Sequence, residues 1–265
     1  MSIIGIDIGS STTKMIEYKN EKIVNKKIFR KVYEKSDLYE FIKLYNIKEI
    51  EKIVFTGIGS DKVNNKEYDV PVCTVEEFKA IAEGGKYLSN KDEIIVTSVG
   101  TGTALIEVNG NNIKHLGGTG VGAGMLLNLC KRFLDIQSFD GIYDLASKGD
   151  LSKIDLRIGD ITTKEITTLP LDLTLANFGK FEENARKEDI VLGFVNMVFE
   201  VIGMMVAFST INSDIKEAVL IGNITALPGV QEIMKKIEFT HKVKFIVPED
   251  VEYGVVLGAV ISSEK

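Results

Sequence analysis

Two stretches of this chain share one pattern. IIGIDIGSSTTKMIEY begins at Ile3, and IIVTSVGTGTALIEVN begins at Ile94. With Gly9 set on Gly100, Ser10 meets Thr101 and Thr12 meets Thr103, and apolar residues flank both turns. Each copy reads as strand, tight glycine turn, strand. Glycine accepts the positive φ of such a turn, and the bare N–H groups of the bend can face an anion. A repeated hairpin of this kind points to a duplicated architecture, with a cleft between its halves.

The remaining chain alternates in the α/β manner. Helices are expected over Ser36–Tyr45, capped by Ser36 or Asp37, and over Val75–Leu88. EKIVFTGIG, from Glu51, reads as a strand into a glycine turn, and LGGTGVGAGMLLNLCKRFL as a glycine loop feeding a helix. A short helix and turn over Asp140–Gly149 precede a Thr-rich irregular stretch over Asp160–Leu175. A long helix spans 189–209, then strand, glycine turn and helix in KEAVLIGNITALPGVQEIMKKI, a strand in VKFIVPE, and a last helix. The expected lobes are 1–92, joined by the C-terminal helix over 253–265, and 93–252, which carries the long helix.

Charge and composition exclude several partners. The net charge of -6 comes without a basic block, which argues against nucleic acid or an anionic membrane surface. Cys73 and Cys130 stand outside any CxxC, so a disulfide framework or zinc ribbon is not expected, and the cytoplasm is the expected compartment. The start MSIIGIDIGSS has no basic region and only a short apolar run, unlike a signal peptide. Ile190–Ile211 is long enough to span a bilayer, but it carries Asn196 and Glu200 in mid-segment; a core or subunit-interface helix is expected, and no membrane.

Glycine turns follow strands at Gly9, Gly57, Gly100 and Gly222, and a fifth run, Gly117–Gly124, opens a helix. None fits the Walker A spacing or a Rossmann GxGxxG. Strand followed by glycine turn still holds phosphates, because backbone donors and helix N-termini favour anions. Asp7, at the end of the first strand, either touches Mg²⁺ through water or closes a local hydrogen bond. Lys14 is either a point charge for phosphate oxygens or a solvated lysine.

GIDIGSSTTK, VGTGTALIEV, LGGTGVGAG, LTLANFG and YGVVLGAV, in this order over nearly the whole chain, resemble the type II pantothenate kinases of the acetate kinase/sugar kinase/Hsp70/actin superfamily. The resemblance implies a duplicated ribonuclease H-like (actin-like ATPase) fold, with two lobes around a nucleotide cleft. It also implies ATP- and Mg²⁺-dependent phosphorylation of the pantothenate 4′-hydroxyl, the first step towards coenzyme A, by a homodimer built partly on the long helix. Carried over residue by residue, Asp7, Gly9, Ser10, Ser11 and Lys14 fall in the first phosphate motif, and Gly100, Thr101 and Gly102 in the second. Thr101 and Thr103 match hydroxyls near phosphate and substrate. Gly118, Gly120, Gly122 and Gly124 match the glycines over the nucleotide, with Gly222 and Asn223 on the adenosine side. The family's catalytic glutamate opens a helix, precedes Phe, and stands seven positions before a glycine; Glu77 fits that count, with Glu76 one residue away.

Two departures concern the acceptor. The family's substrate-contacting Arg before the glycine loop is here His115, after Lys114; the family's aromatics near KFIVPE are replaced by Ile246 and Val247. Imidazole cannot reproduce the guanidinium fork. Three alternatives therefore stand beside pantothenate kinase: a kinase of another small hydroxyl compound, a nucleotide-binding homologue without catalysis, and an ATP-driven activator. The activators hold an iron–sulfur cluster through a cysteine where this chain has His115-Leu116-Gly117, and cluster ligation needs thiolates.

Overall fold

The structure is a computed structural model that describes residues 1–164 and 169–264. Strands β1 (Ser2–Ile8), β2 (Thr13–Lys19) and β3 (Lys22–Phe29) form an antiparallel meander. Helix α1 (Lys35–Leu44), strands β4 (Ile50–Thr56) and β5 (Val72–Thr74) and helix α2 (Glu77–Ser89) follow. A second meander, β6 (Glu93–Val99), β7 (Thr103–Asn109) and β8 (Asn112–Thr119), leads into α3 (Ala123–Leu134) and α4 (Phe139–Ala146). A small arm holds β9 (Leu156–Arg157), α5 (Ile158–Ile161) and β10 (Thr174–Ala176). The chain closes with α6 (Lys187–Ser209), β11 (Glu217–Ile221), α7 (Val230–His241), β12 (Lys244–Ile246) and α8 (Gly254–Ser262).

The duplication extends to the sheets. Their strand orders are β3-β2-β1-β4-β5 and β8-β7-β6-β11-β12. In both, the meander is antiparallel and the last two strands join in parallel. Period-two alternation in β1 sets the layers. Ile4, Ile6 and Ile8 face α1 in one core, while Ile3 joins Ile81, Val256 and Val260 in another. That second core also takes Ile94, Val96 and Ile106 from the second sheet, so α2 and α8 lie between the sheets. Helices α3, α4, α6 and α7 cover the far face of the second sheet.

Glycine sets the spacing of the central layer. A Cβ on Gly5 would stand 2.7 Å from Val260 and 2.8 Å from Val256 of α8. A Cβ on Gly84 would overlap the Gly254 carbonyl, and one on Gly258 would overlap the Ala80 carbonyl and the Gly84 backbone. Helices α2 and α8 therefore touch backbone to backbone, which packs the start of α2 close to the ends of β1 and β2.

Helix α6 is long and apolar enough to cross a membrane, with a mean hydropathy of 2.2, yet 61% of that window is buried within the fold. Asn196 and Glu200, the polar residues noted in mid-segment, belong to a hydrogen-bonded network. Asn196 donates to Asp155 (2.8 Å) and to Asn177 (3.1 Å), and Asn177 donates to Glu200 (2.5 Å). This ties the LTLANFG segment to α6. Burial pushes both the Asp155 and Glu200 carboxyls above their ordinary range.

Several boundaries differ from expectation. Helix α1 begins one residue earlier, with Glu34 at its N-cap; Asp37, at the third helical position, accepts the Glu34 N–H (2.9 Å) instead of capping. Gly117 and Gly118 belong to strand β8, so the glycine run opens α3 only from Gly122. The Thr-rich stretch overlaps the end of α5 and the start of β10, and the last helix ends at Ser262; residues 165–168 of that stretch, and residue 265 of the expected last helix, lie outside the described residues.

Candidate active site

The first turn, Gly9–Thr12, closes through the Gly9 N–H on the Thr12 carbonyl (3.0 Å). Below it, Asp7 and Lys14 are paired positions of β1 and β2 on the face towards α2 and α8. Lys14 Nζ stands 3.7 Å from Asp7 Oδ2, with both side chains about nine-tenths buried. Burial raises the Asp7 pKa above the ordinary value, and Lys14 pulls it back. Gly57, after β4, has φ +88°, and a Cβ there would sit 2.6 Å from Asp7 Oδ1. Only glycine leaves that carboxylate room.

Helix α2 brings a second carboxylate to the pair. Glu76 is its N-cap, accepting the N–H groups of Phe78 (3.1 Å) and Lys79 (2.9 Å). Glu77, the first helical residue, is half-buried within electrostatic reach of Asp7 and Lys14. Burial first, then the charges of Asp7 and Glu76, raise its pKa, while Lys14 lowers it. The two glutamates thus part by role: Glu76 is spent on the helix, and Glu77 faces the Asp7–Lys14 pair.

The two turns meet. Ser10 Oγ and Thr101 Oγ1 share a hydrogen bond of 2.7 Å across the duplication. Behind the second turn, the Gly100 and Thr101 carbonyls accept the N–H groups of Ala123 (2.9 Å) and Gly124 (3.0 Å) at the start of α3. Those two helix-start donors are therefore satisfied within the protein. Gly118, Gly122 and Gly124 serve close approach: a Cβ on any of them would crowd backbone or side-chain atoms of residues 100–103. Gly120 differs, being exposed with open space where a Cβ would stand. Gly222, at φ +124°, packs its Cα against the Val99 carbonyl at the foot of the same turn.

A cleft of about 830 Å³ runs from Ser11, Thr12 and Arg30 on the first-sheet side to Asn223, Lys131 and Tyr143 on the other. Arg30 Nη2 and Asp140 Oδ1 approach to 3.4 Å across its mouth. Among the described residues, Asn223 Oδ1 is buried without a hydrogen-bond partner.

Thr103 stands apart from this group. It is 5% exposed, and its hydroxyl donates to the Val121 carbonyl (2.8 Å). Thr13 makes the matching bond to Lys31 (3.1 Å), and both threonines pair with the residue just before the turn glycine. The structural counterpart of Thr103 is therefore Thr13, not Thr12; the first turn is one residue longer. Both hydroxyls fasten the chain beyond the third meander strand. His115 lies exposed on β8, stacked on Phe78 at 4.3 Å between ring centroids and 18° between planes. The sequence reading used Phe78 only as a marker for Glu77, and passed over Gly57's contact with Asp7 and Arg30.

The fold is that of the acetate kinase/sugar kinase/Hsp70/actin class. Among solved structures, the chain is similar to the activator of 2-hydroxyisocaproyl-CoA dehydratase from Clostridium difficile with bound ADPNP (TM-score 0.69, 18% identity, 99% of this chain and 94% of that one). It is also similar to the ROK hexokinase from Thermus thermophilus (TM-score 0.56, 13% identity, 99% and 98%). At these identities the likeness concerns the fold. The family follows from sequence: the Fumble family profile matches residues 93–245, and the type II pantothenate kinase of Bacillus anthracis is 30% identical over 212 residues, 76% of this chain and 75% of that protein. The chain belongs to the type II pantothenate kinase family.

Proposed function

We infer that the protein is an ATP-dependent kinase that phosphorylates the 4′-hydroxyl of pantothenate, the first step of coenzyme A synthesis. The observation that carries this reading is Glu77, a half-buried carboxylate set against the Asp7–Lys14 pair beside the joined turns. Phosphoryl transfer requires an oriented hydroxyl, neutralised charge and a carboxylate that accepts the proton.

ATP would supply the phosphoryl group and Mg²⁺ would neutralise its charge. The residues fit these groups. Asp7 is a desolvated carboxylate whose nearest cation stands at 3.7 Å, a poor compensation for burial. Among the described residues, no cluster of three or more His, Cys, Asp or Glu forms a metal cage. Mg²⁺ commonly binds through one or two carboxylates plus substrate phosphates, and Asp7 would serve here through water. Lys14 offers a point charge, the backbone of Ser10–Ser11 and Gly100–Gly102 offers donors, and Gly120 leaves room over the phosphates. Gly222 and Asn223 would face adenosine, where the unpartnered Asn223 oxygen can accept a hydrogen bond. Glu77 takes the hydroxyl proton.

A homodimer in the cytoplasm completes the reading. Exposed Val201 and Phe208 on α6 offer an apolar face to a second copy, and both cysteines are free. A second reading, a kinase of a related small hydroxyl compound, is favoured by one observation: His115 stacks on Phe78 at the position of the family's arginine.

An ADP-release assay over pantothenate, pantetheine and simple sugars tests both readings. Pantothenate should support turnover; turnover only with another acceptor transfers the site to that compound, and none with any acceptor overturns the kinase. In the same assay, Asp7→Asn should raise the Mg²⁺ concentration for half-maximal rate by roughly 10- to 100-fold, the usual cost of losing an outer-shell ligand partner. An unchanged Mg²⁺ dependence would take Asp7 away from the metal.

A further inference from the structure

We propose that His115 is a positioning residue that acts through Phe78, holding the first turn of α2, and with it Glu77, against the cleft. The proposal rests on the reading of Glu77 as the base. The rings are stacked at 4.3 Å and 18°, which is face-to-face contact of two planar groups. Phe78 follows Glu77 directly, and its N–H is held by the Glu76 cap. The first fully buried residue of α2 is Ala80, one turn in. The turn carrying Glu77 therefore lies outside the fully buried part of the helix, and the Phe78 ring is its contact with β8.

His115 supplies that contact from the other sheet. On edge strand β8 it pairs with Ile106 of β7, just before a register shift in which Leu105 pairs with Gly117. That shift leaves Leu116 unopposed and bends the strand, re-aiming its side chains as bulges do. Among the described residues, no hydrogen bond to either His115 ring nitrogen is present, so the ring face, and not its edge, makes the contact. The Ser10–Thr101 and Arg30–Asp140 contacts join the two sides of the cleft, while the stack joins the central helix layer to the second sheet.

The test compares kcat and acceptor KM for His115→Ala, His115→Phe, Phe78→Ala and the double alanine variant, with Glu77→Gln in parallel. His115→Ala should lower kcat about two- to tenfold, the worth of a stacked pair expressed as a rate, and leave acceptor KM largely unmoved. His115→Phe keeps a planar ring and should recover most of the lost kcat. The double variant should be no slower than either single one, since both remove the same contact. A loss confined to acceptor KM, a His115→Phe as impaired as His115→Ala, or additive losses would each overturn the proposal in favour of a direct imidazole–substrate contact. Full activity in Glu77→Gln would instead remove the base reading beneath it, so the two failures are told apart.

Discussion

Replacing Glu77 with glutamine is expected to lower kcat by about 10²- to 10⁴-fold, the usual share of general-base catalysis, while ATP affinity stays close to wild type. The amide keeps the shape of the side chain and loses its ability to take a proton. Its neighbours allow the substitution, because the structural duty at the start of α2 falls on Glu76, which caps Phe78 and Lys79. The pH profile carries the same information. Burial, Asp7 and Glu76 raise the Glu77 pKa above that of an ordinary carboxylate. Only the deprotonated form accepts a proton, so kcat should fall as pH drops through that raised value, and the acid limb should lie above the usual glutamate range. Glu77→Gln should abolish this limb. A variant with wild-type kcat and an unaltered acid limb would remove Glu77 from the reaction.

The largest effect on stability is expected at Gly258. Its Cα rests against α2 so closely that an added methyl would overlap the Ala80 carbonyl and the Gly84 backbone. No side chain can swing aside there, so the helices must separate. Overpacking of this kind costs about 3 kcal/mol, which for a chain of this size lowers the melting temperature by on the order of 10 °C. Gly258→Ala should also impair catalysis, because α2 carries Glu77 at its start. Urea and thermal unfolding give the stability change directly. An unchanged midpoint would mean that α2 and α8 do not touch through their backbones.

The repeated motif made the duplication legible, since the turn glycines and alternating apolar residues of β1–β2 and β6–β7 express local requirements. The third meander strands were harder to see. β3 carries lysines at 22, 26 and 27, with exposed and half-buried residues along most of its length, so little apolar alternation marks it. The end of β8 is written in glycine and threonine, which read as loop chemistry, although Gly118 is there because Thr103 passes 2.5 Å from where its Cβ would stand. The pairing of Thr103 with Thr12 failed for a related reason: sequence alignment cannot count turn residues that the register shows to be four in one copy and three in the other.

Contacts between segments distant in sequence were not legible at all. Ser10 and Thr101 are 91 positions apart. Phe78 and His115 belong to different motifs, and their stacking depends on how α2 lies between the sheets. The different placement of Glu76 and Glu77 was likewise not legible, because only the helix start shows that Glu76 accepts the Phe78 and Lys79 N–H groups. By contrast, the placement of Asp7, Lys14 and the turn glycines at strand ends was readable, because their own backbone neighbours dictate it.

A crystal structure with a non-hydrolysable ATP analogue and Mg²⁺ is the most direct test. Its phosphates should lie between the Gly9–Thr12 and Gly100–Gly102 turns, with the metal on the Asp7 side, the adenosine towards Asn223, and Glu77 open to an acceptor hydroxyl. Nucleotide bound away from the meeting point of Ser10 and Thr101 would contradict the proposed kinase site.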